Sequence, residues 1–217
     1  HSFQNCYSLS YIVMNSFNTQ IEANAFENCR SLNIILPEHL DTIKSNAFHQ
    51  IKSLEKIVMP STVKSIDKSA FRGCSSLKEI IIPSMICKIG KSAFNGCSSL
   101  RKVIIPSTVK EIGKAAFKGC SSLKEIAIPF ITVIQKATFF GCSSLEQITI
   151  PSSVISIKRQ AFYKCSSLKQ IKIPSSVLSM FGFVFFECLA LENISFHPQM
   201  EIICENSFEN CLSSNVI

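Results

Sequence analysis

Eleven cysteines, four histidines and 22 lysines and arginines are the side chains of this 217-residue sequence with the most chemistry to offer. A thiol becomes a nucleophile beside a histidine base, and cysteine with histidine holds zinc when pairs of ligands lie close together. Neither pattern is present. His1, His39, His49 and His197 stand in distant stretches, no Cys-x-x-Cys pair occurs, and there is no phosphate-binding loop or nucleophile motif. An active site requires converging titratable groups, so the sequence predicts a protein that is not an enzyme and needs no metal or other cofactor.

The cysteines are punctuation. Phenylalanine recurs every 22 or 23 residues, at Phe3, Phe26, Phe48, Phe71, Phe94, Phe117, Phe139, Phe162, Phe185 and Phe208. Three residues after each comes a cysteine (Cys6, Cys29, Cys74, Cys97, Cys120, Cys142, Cys165, Cys188 and Cys211), with Ile51 in its place once. Cysteines in register on equivalent positions read as small buried hydrophobes with inert thiols. Cys87 and Cys204, beside Ile86 and Ile203, fall outside the register and are predicted to be the exposed thiols.

A period of this length calls for a repeat architecture before any other. One unit runs from Pro106 to Ile128, and its apolar positions Val109, Ile112, Ala116, Phe117, Cys120, Leu123, Ile126 and Ile128 are too sparse to form a core alone. Stacking copies on one another buries them, which is the logic of a solenoid. The run Leu-x-x-Ile-x-Ile alternates with period 2 and is β-branched inside, as a short strand requires, so strands of successive units should pair in parallel. All eight prolines keep the register and end these runs, because proline cannot donate to a ladder. Ala-Phe-x-Gly-Cys-Ser-Ser, with its glycine stop, suits a short helical turn on the opposite side.

Composition agrees with a packed chain. Hydrophobic residues make up 47%, enough for a core and too many for disorder. Apolar runs such as Ile80 to Pro83 and Met180 to Phe186 fall far short of the roughly 20 residues that cross a bilayer, and the N-terminal residues lack the basic then apolar order of a secretory signal. The net charge of +7 favours anionic partners.

The pattern Leu-x-x-Ile-x-Ile-Pro-x-x-Val-x-x-Ile-x-x-x-Ala-Phe-x-x-Cys resembles the leucine-rich repeats of the BspA-like class over essentially the whole chain. The resemblance implies an α/β repeat solenoid: a right-handed superhelix with a concave parallel β-sheet and short helical turns or extended segments on the convex side. It departs from the commonest leucine-rich repeats, since Pro-Ser-Thr follows the strand and the cysteine precedes it, so no asparagine ladder is expected. Residues 1–217 read as a single solenoid of about ten units cut mid-repeat at both ends: Phe3 comes without its strand, and Leu212 to Ile217 stop as another strand begins. Proteins of this class occur in bacteria and parasitic protists as surface antigens and adhesins that bind host proteins or other cells.

Two ladders should face the concave side. Tyr11, Asn33, Lys56, Glu79, Lys102, Glu125, Gln147, Gln170 and Asn193 form one, its alternating charges placed to pair across strands ~4.8 Å apart. Val13, Ile35, Val58, Ile81, Ile104 and Ala127 form the other, turning polar at Thr149, Lys172 and Ser195. The exposed β-branched stripe reads either as a partner site or as plain strand preference. Val58, Ile81 and Ile104 with flanking Lys56, Glu79 and Lys102 are the candidate protein-binding residues.

On the outer side Lys68, Lys91, Lys114, Lys136 and Arg159 stand three residues before the repeat phenylalanine in five consecutive units. The column reads as a solvated edge or as a site for an anionic glycan, lipid headgroup or acidic protein. No aromatic residue interleaves it and no nucleic-acid motif is present, so nucleic acid is not an expected partner. One residue after the repeat phenylalanine an aromatic column appears at Phe140, Tyr163 and Phe186, next to the divergent run Met180 to Phe186, with Phe196 and the inserted His197 following. Packing against a further coil and a partner or dimer interface are both open for it. The Asn193-Ile194-Ser195 sequon sits in a predicted strand and reads as chance.

The expected function is non-catalytic binding, as a segment of a cell-surface or secreted adhesin or antigen that binds host or cell-surface proteins. The alternative is an intracellular, cytoplasmic interaction scaffold of the same fold, which the reduced-looking cysteines suit. Neither the ligand nor the oligomeric state is legible.

Overall fold

The computed structural model of the chain describes residues 2–14, 17–195, 197–198 and 200–211. His1, Phe196 and the 212–217 stretch expected to start another strand lie outside them. The chain winds as a parallel-strand β-solenoid whose turns present up to two short strands and one run of tight turns.

The predicted strands lie on the first face. Three-residue strands occur at Tyr11–Val13, Asn33–Ile35, Glu79–Ile81, Lys102–Ile104, Glu125–Ala127, Gln147–Thr149, Gln170–Lys172 and Asn193–Ser195. Their pairing is parallel and in repeat register, Glu79 opposite Lys102 and Ile81 opposite Ile104. Only the middle residue of each points inward: Ile80, Val103, Ile126, Ile148, Ile171 and Ile194 are buried between two exposed or half-exposed neighbours. Lys56 to Val58 keeps this alternation, with Ile57 buried, without being a strand. Proline then turns the chain, its carbonyl accepting from the amide three residues on, as Pro83 does from Ile86 and Pro106 from Val109.

A second face is also sheet: the sequence reading allowed extended segments besides helical turns away from the first face, and did not anticipate that they pair. Two-residue strands at Gln20–Ile21, Thr42–Ile43, Ser65–Ile66, Lys88–Ile89 and Glu111–Ile112 make a five-stranded parallel sheet. Val133–Ile134, Ser156–Ile157, Ser179–Met180 and Ile202–Ile203 make a four-stranded one. Two residues are too few for an alternating pattern to be visible; the strand exists because the same isoleucine recurs above and below it.

The helical turn expected around the repeat phenylalanine is not formed, and the α/β description is corrected to a β-solenoid. Among the described residues the only helix is the 3₁₀ turn Glu205–Phe208. The reason is visible in the hydrogen bonds. Ser69, Phe71 and Gly73 donate their amides to Lys91, Ala93 and Asn95 of the next coil, while Ala70, Arg72 and Cys74 donate back within their own coil. Amides committed alternately to a neighbour and to a local turn cannot follow a helix. The alternation is produced by left-handed residues two before and two after the repeat phenylalanines from Phe26 to Phe185, such as Ser69 (φ 57°) and Gly73 (φ 75°). Glycine is favoured there because it has no Cβ to crowd the carbonyl; Asn5, Asn28, Lys164 and Glu187 occupy the same position with φ between 56° and 62°.

One core runs along the axis, from Ile21 to Ile194. The repeat phenylalanines stack face to face with centroids 5.1 to 5.9 Å apart, from Phe3 to Phe208. Of the expected core positions in the Pro106 unit, Val109, Ile112, Ala116, Phe117, Cys120, Leu123 and Ile126 are buried, and Ile128 is half-buried against the core. In place of a conventional asparagine ladder, hydroxyls just after the prolines bond the previous coil: Thr108 donates to the Ile86 carbonyl at 3.0 Å and Ser153 to that of Ile131 at 2.7 Å. Asparagines do bridge coils at the left-handed positions, Asn28 to Asn5 at 2.9 Å and Asn46 to Asn24 at 3.0 Å.

Candidate interaction surfaces

The first face carries the stripe. Its outward-pointing residues are Val13 (63% exposed), Ile35 (55%), Val58 (72%), Ile81 (61%) and Ile104 (44%), one per coil. Period-2 geometry puts them there: each lies between two residues that are buried or partly buried against the core, so the pleat aims it at solvent. Beside the stripe runs the charged ladder. Lys56 meets Glu79 at 3.8 Å, while Glu79 with Lys102 and Lys102 with Glu125 do not close to ion-pair distance. A further column outside it pairs Lys78 with Glu55 at 2.6 Å and Lys124 with Glu146 at 3.8 Å. These pairs are solvent-exposed and contribute little to stability, ~0 to 1 kcal/mol each; they leave the apolar centre framed by charge. Where the stripe shrinks to Ala127, a shallow groove of about 900 Å³ opens, lined by Lys102, Ile104, Glu125, Gln147 and Thr149. The small residue in an otherwise β-branched column was its sequence signal.

Lys68, Lys91, Lys114, Lys136 and Arg159 are all exposed on the turn side, one per coil. The structure adds a notch that sequence reasoning missed. Gly90 and Gly113 occupy the position of Asp67 in two consecutive coils, and a Cβ on either would lie within 2.5 to 2.9 Å of the preceding coil's backbone. Beside them lies an open depression of about 700 Å³ between Lys68, Lys91 and Lys114, with Asp67 and Glu111 also lining it.

Phe140, Tyr163 and Phe186 do come together, stacked with centroids 4.6 and 4.9 Å apart. Seven register cysteines are buried, Cys87 is exposed, and Cys6, Cys204 and Cys211 are intermediate. Cys204 is therefore half-covered rather than exposed. Each buried thiol donates to the phenylalanine carbonyl of the coil before, as Cys97 to Phe71 at 3.2 Å and Cys120 to Phe94 at 3.3 Å. Burial pushes Cys97, Cys120 and Cys165 well above the ordinary thiol range and Cys74 and Cys142 up to about 12. No group of three or more His, Cys, Asp or Glu suited to a metal occurs among the described residues, and no described helix is long and apolar enough to cross a membrane.

No curated protein matches the sequence significantly. Among solved structures, a leucine-rich repeat protein from Bacteroides ovatus shares 33% identity with a TM-score of 0.86, over 92% of this chain and 52% of its own length. A leucine-rich cell surface protein from Faecalibacterium prausnitzii shares 28% identity with a TM-score of 0.63, over 92% of this chain and 63% of its own. The leucine-rich repeat protein of T. pallidum shares 33% identity with a TM-score of 0.58, over 65% of this chain and 66% of its own. The chain thus spans about half to two thirds of these proteins. The family model for the BspA type leucine-rich repeat region matches residues 1–124 and 87–215. A continuous core of stacked repeats, two parallel strand faces and that match over nearly every residue place the chain in the BspA-type leucine-rich repeat family, whose fold is typically non-catalytic and generally serves protein interaction.

Proposed function

We propose that this chain is a protein-binding module of a cell-surface adhesin or antigen, and that the first strand face makes the contact. The observation that carries the reading is the exposed stripe from Val13 to Ile104, 44 to 72% exposed, with Val13 and Ile35, and Ile81 and Ile104, opposite one another in parallel strand pairs on either side of Val58. Val58, Ile81 and Ile104 supply an apolar centre and Lys56, Glu79 and Lys102 a charged rim, the anatomy of specific interfaces. A strand in a ladder loses little conformational freedom when a partner docks, so contacts made there convert into affinity more fully than contacts on a mobile loop. The resemblance to a Faecalibacterium cell surface protein supports the placement at the surface.

Replacing Ile81 and Ile104 together by Asp tests this. Binding of fluorescently labelled protein to cultured epithelial cells should be abolished, with circular dichroism and melting temperature nearly unchanged because both side chains already face water. The second reading rests on the Gly90 and Gly113 notch, which sets Lys68, Lys91 and Lys114 around an open depression suited to an anionic glycan or headgroup. If Lys91→Glu with Lys114→Glu removes binding while the double Asp variant keeps it, the basic column takes the place of the stripe.

A further inference from the structure

The turn face of the seventh to ninth coils differs from the rest of the molecule. Along the position one after the repeat phenylalanine, the chain places Glu27, His49, Arg72, Asn95 and Lys118, and then Phe140, Tyr163 and Phe186. Phe183, in the left-handed position of the ninth coil (φ 61°), meets Phe186 edge to face at 5.6 Å. Phe181 joins them on the same coil, so five rings lie outside the phenylalanine stack of the core, each only partly buried. Cations cover them: Lys118 lies 4.3 Å from the Phe140 centroid, Lys158 4.1 Å from Phe181 and Arg159 4.9 Å from Phe183. Lys164, near the Tyr163 ring, pairs with Glu187 at 3.4 Å, and this is the one carboxylate among the turn positions of these three coils.

We propose that this patch binds an acidic protein segment in which apolar side chains alternate with Asp or Glu. The geometry selects that occupant over others. Sugar rings dock on free aromatic faces, but here Phe140 lies between Lys118 and Tyr163, Tyr163 lies between Phe140 and Phe186, and Phe181 and Phe183 each carry a cation on one face. Ring edges remain, and an aromatic edge is its positive rim. Positive edges beside lysine and arginine take carboxylates, and the partly exposed ring surfaces take apolar side chains. None of the five rings stands clear of its neighbours, whereas insertion into a bilayer needs protruding apolar residues. A second copy of the chain would set the same cations against one another in an isologous contact, in a molecule already at +7.

The chain has no tryptophan and only three tyrosines, Tyr7, Tyr11 and Tyr163. In a Tyr7→Phe, Tyr11→Phe background Tyr163 is the sole emitter, and it sits inside the patch. The probe is a synthetic disordered peptide alternating Glu with Leu. Tyr163 emission should change saturably on titration, and Lys118→Glu with Arg159→Glu should weaken the interaction on the order of tenfold or more, as loss of complementary charge does. Phe140→Ser with Phe186→Ser should weaken it comparably, and Ile81→Asp with Ile104→Asp should leave it unchanged, which separates this site from the strand-face reading. If the ring variant fails to fold, the charge variant alone decides. The proposal is overturned by a flat titration, by equal binding of a Glu-Ser peptide of the same charge, by stronger binding to phosphatidylserine vesicles than to the peptide, or by sedimentation showing that the patch closes a homodimer.

Discussion

A thiol in this protein has one of three environments, and its reactivity should follow. Cys87 is exposed, Cys6, Cys204 and Cys211 are intermediate, and the remaining seven are buried. The nucleophile is the thiolate, which an apolar interior disfavours. Native-state labelling followed by mass mapping should therefore modify Cys87 first and Cys97 and Cys120 last; Cys97 reacting as fast as Cys87 would show that the core is misassigned. The same burial makes stability depend on pH. Cys74 and Cys142 titrate near 9.0 in an exposed chain and are raised to about 12 in the fold. Below pH 9.0 both states keep their protons and the contribution is fully present; above it the unfolded chain releases protons that the folded chain retains. Stability should fall from pH 9.0 toward about 12, by about 1.4 kcal/mol per pH unit for each such thiol. Urea midpoints at about pH 8 and about pH 10 measure the slope. Replacing Cys74 and Cys142 by Ala should reduce it, and an unchanged slope would assign the effect to other groups.

Inward and outward side chains differ in worth. Phe117 is fully buried and stacked on Phe94 at 5.5 Å and Phe139 at 5.9 Å, whereas Ile104 is 44% exposed. Phe117→Ala empties a site that two neighbouring coils cannot easily fill and should cost ~3 to 5 kcal/mol. Ile104→Ala should cost far less, and the reverse order in chemical denaturation would invert the assignment of the two faces. The turn run obeys a different rule. It is held by amides that alternate between the next coil and a local turn, so a substitution there acts through φ and through the neighbour's carbonyl rather than through helix propensity.

At the scale of the molecule, each coil touches only the coils on either side, and stability is close to a sum of repeat and neighbour terms. Deleting residues 106–128, one whole period, joins Ile105 to Pro129 and keeps every ladder in register. The shortened protein should retain its β-type circular dichroism and melt cooperatively at a lower temperature. A deletion of half a period should not fold, since it would bring the strand face of one coil against the turn face of the next. Should the two deletions behave alike, the coils are not interchangeable and the additive description fails.

What the sequence determined by itself was everything that repeats. The positions of Phe117, Cys120, Leu123 and Ile126 inside, the parallel strands on the first face, their register and the exposed stripe through Val58, Ile81 and Ile104 all follow from one period read against a pleat of two. The tertiary structure alone decided what depends on the neighbouring coil. Ser65–Ile66 and its equivalents become strands only because copies lie above and below them. The stretch from Asp67 to Cys74 becomes turns instead of a helix because Ser69, Phe71 and Gly73 give their amides to the next coil. The notch at Gly90 and Gly113 and the cation-covered rings around Tyr163 have the same origin, since both are made of positions far apart in sequence that stacking sets side by side. Local preference states what a residue favours alone, and in a solenoid the partner that satisfies its backbone is a residue one period away.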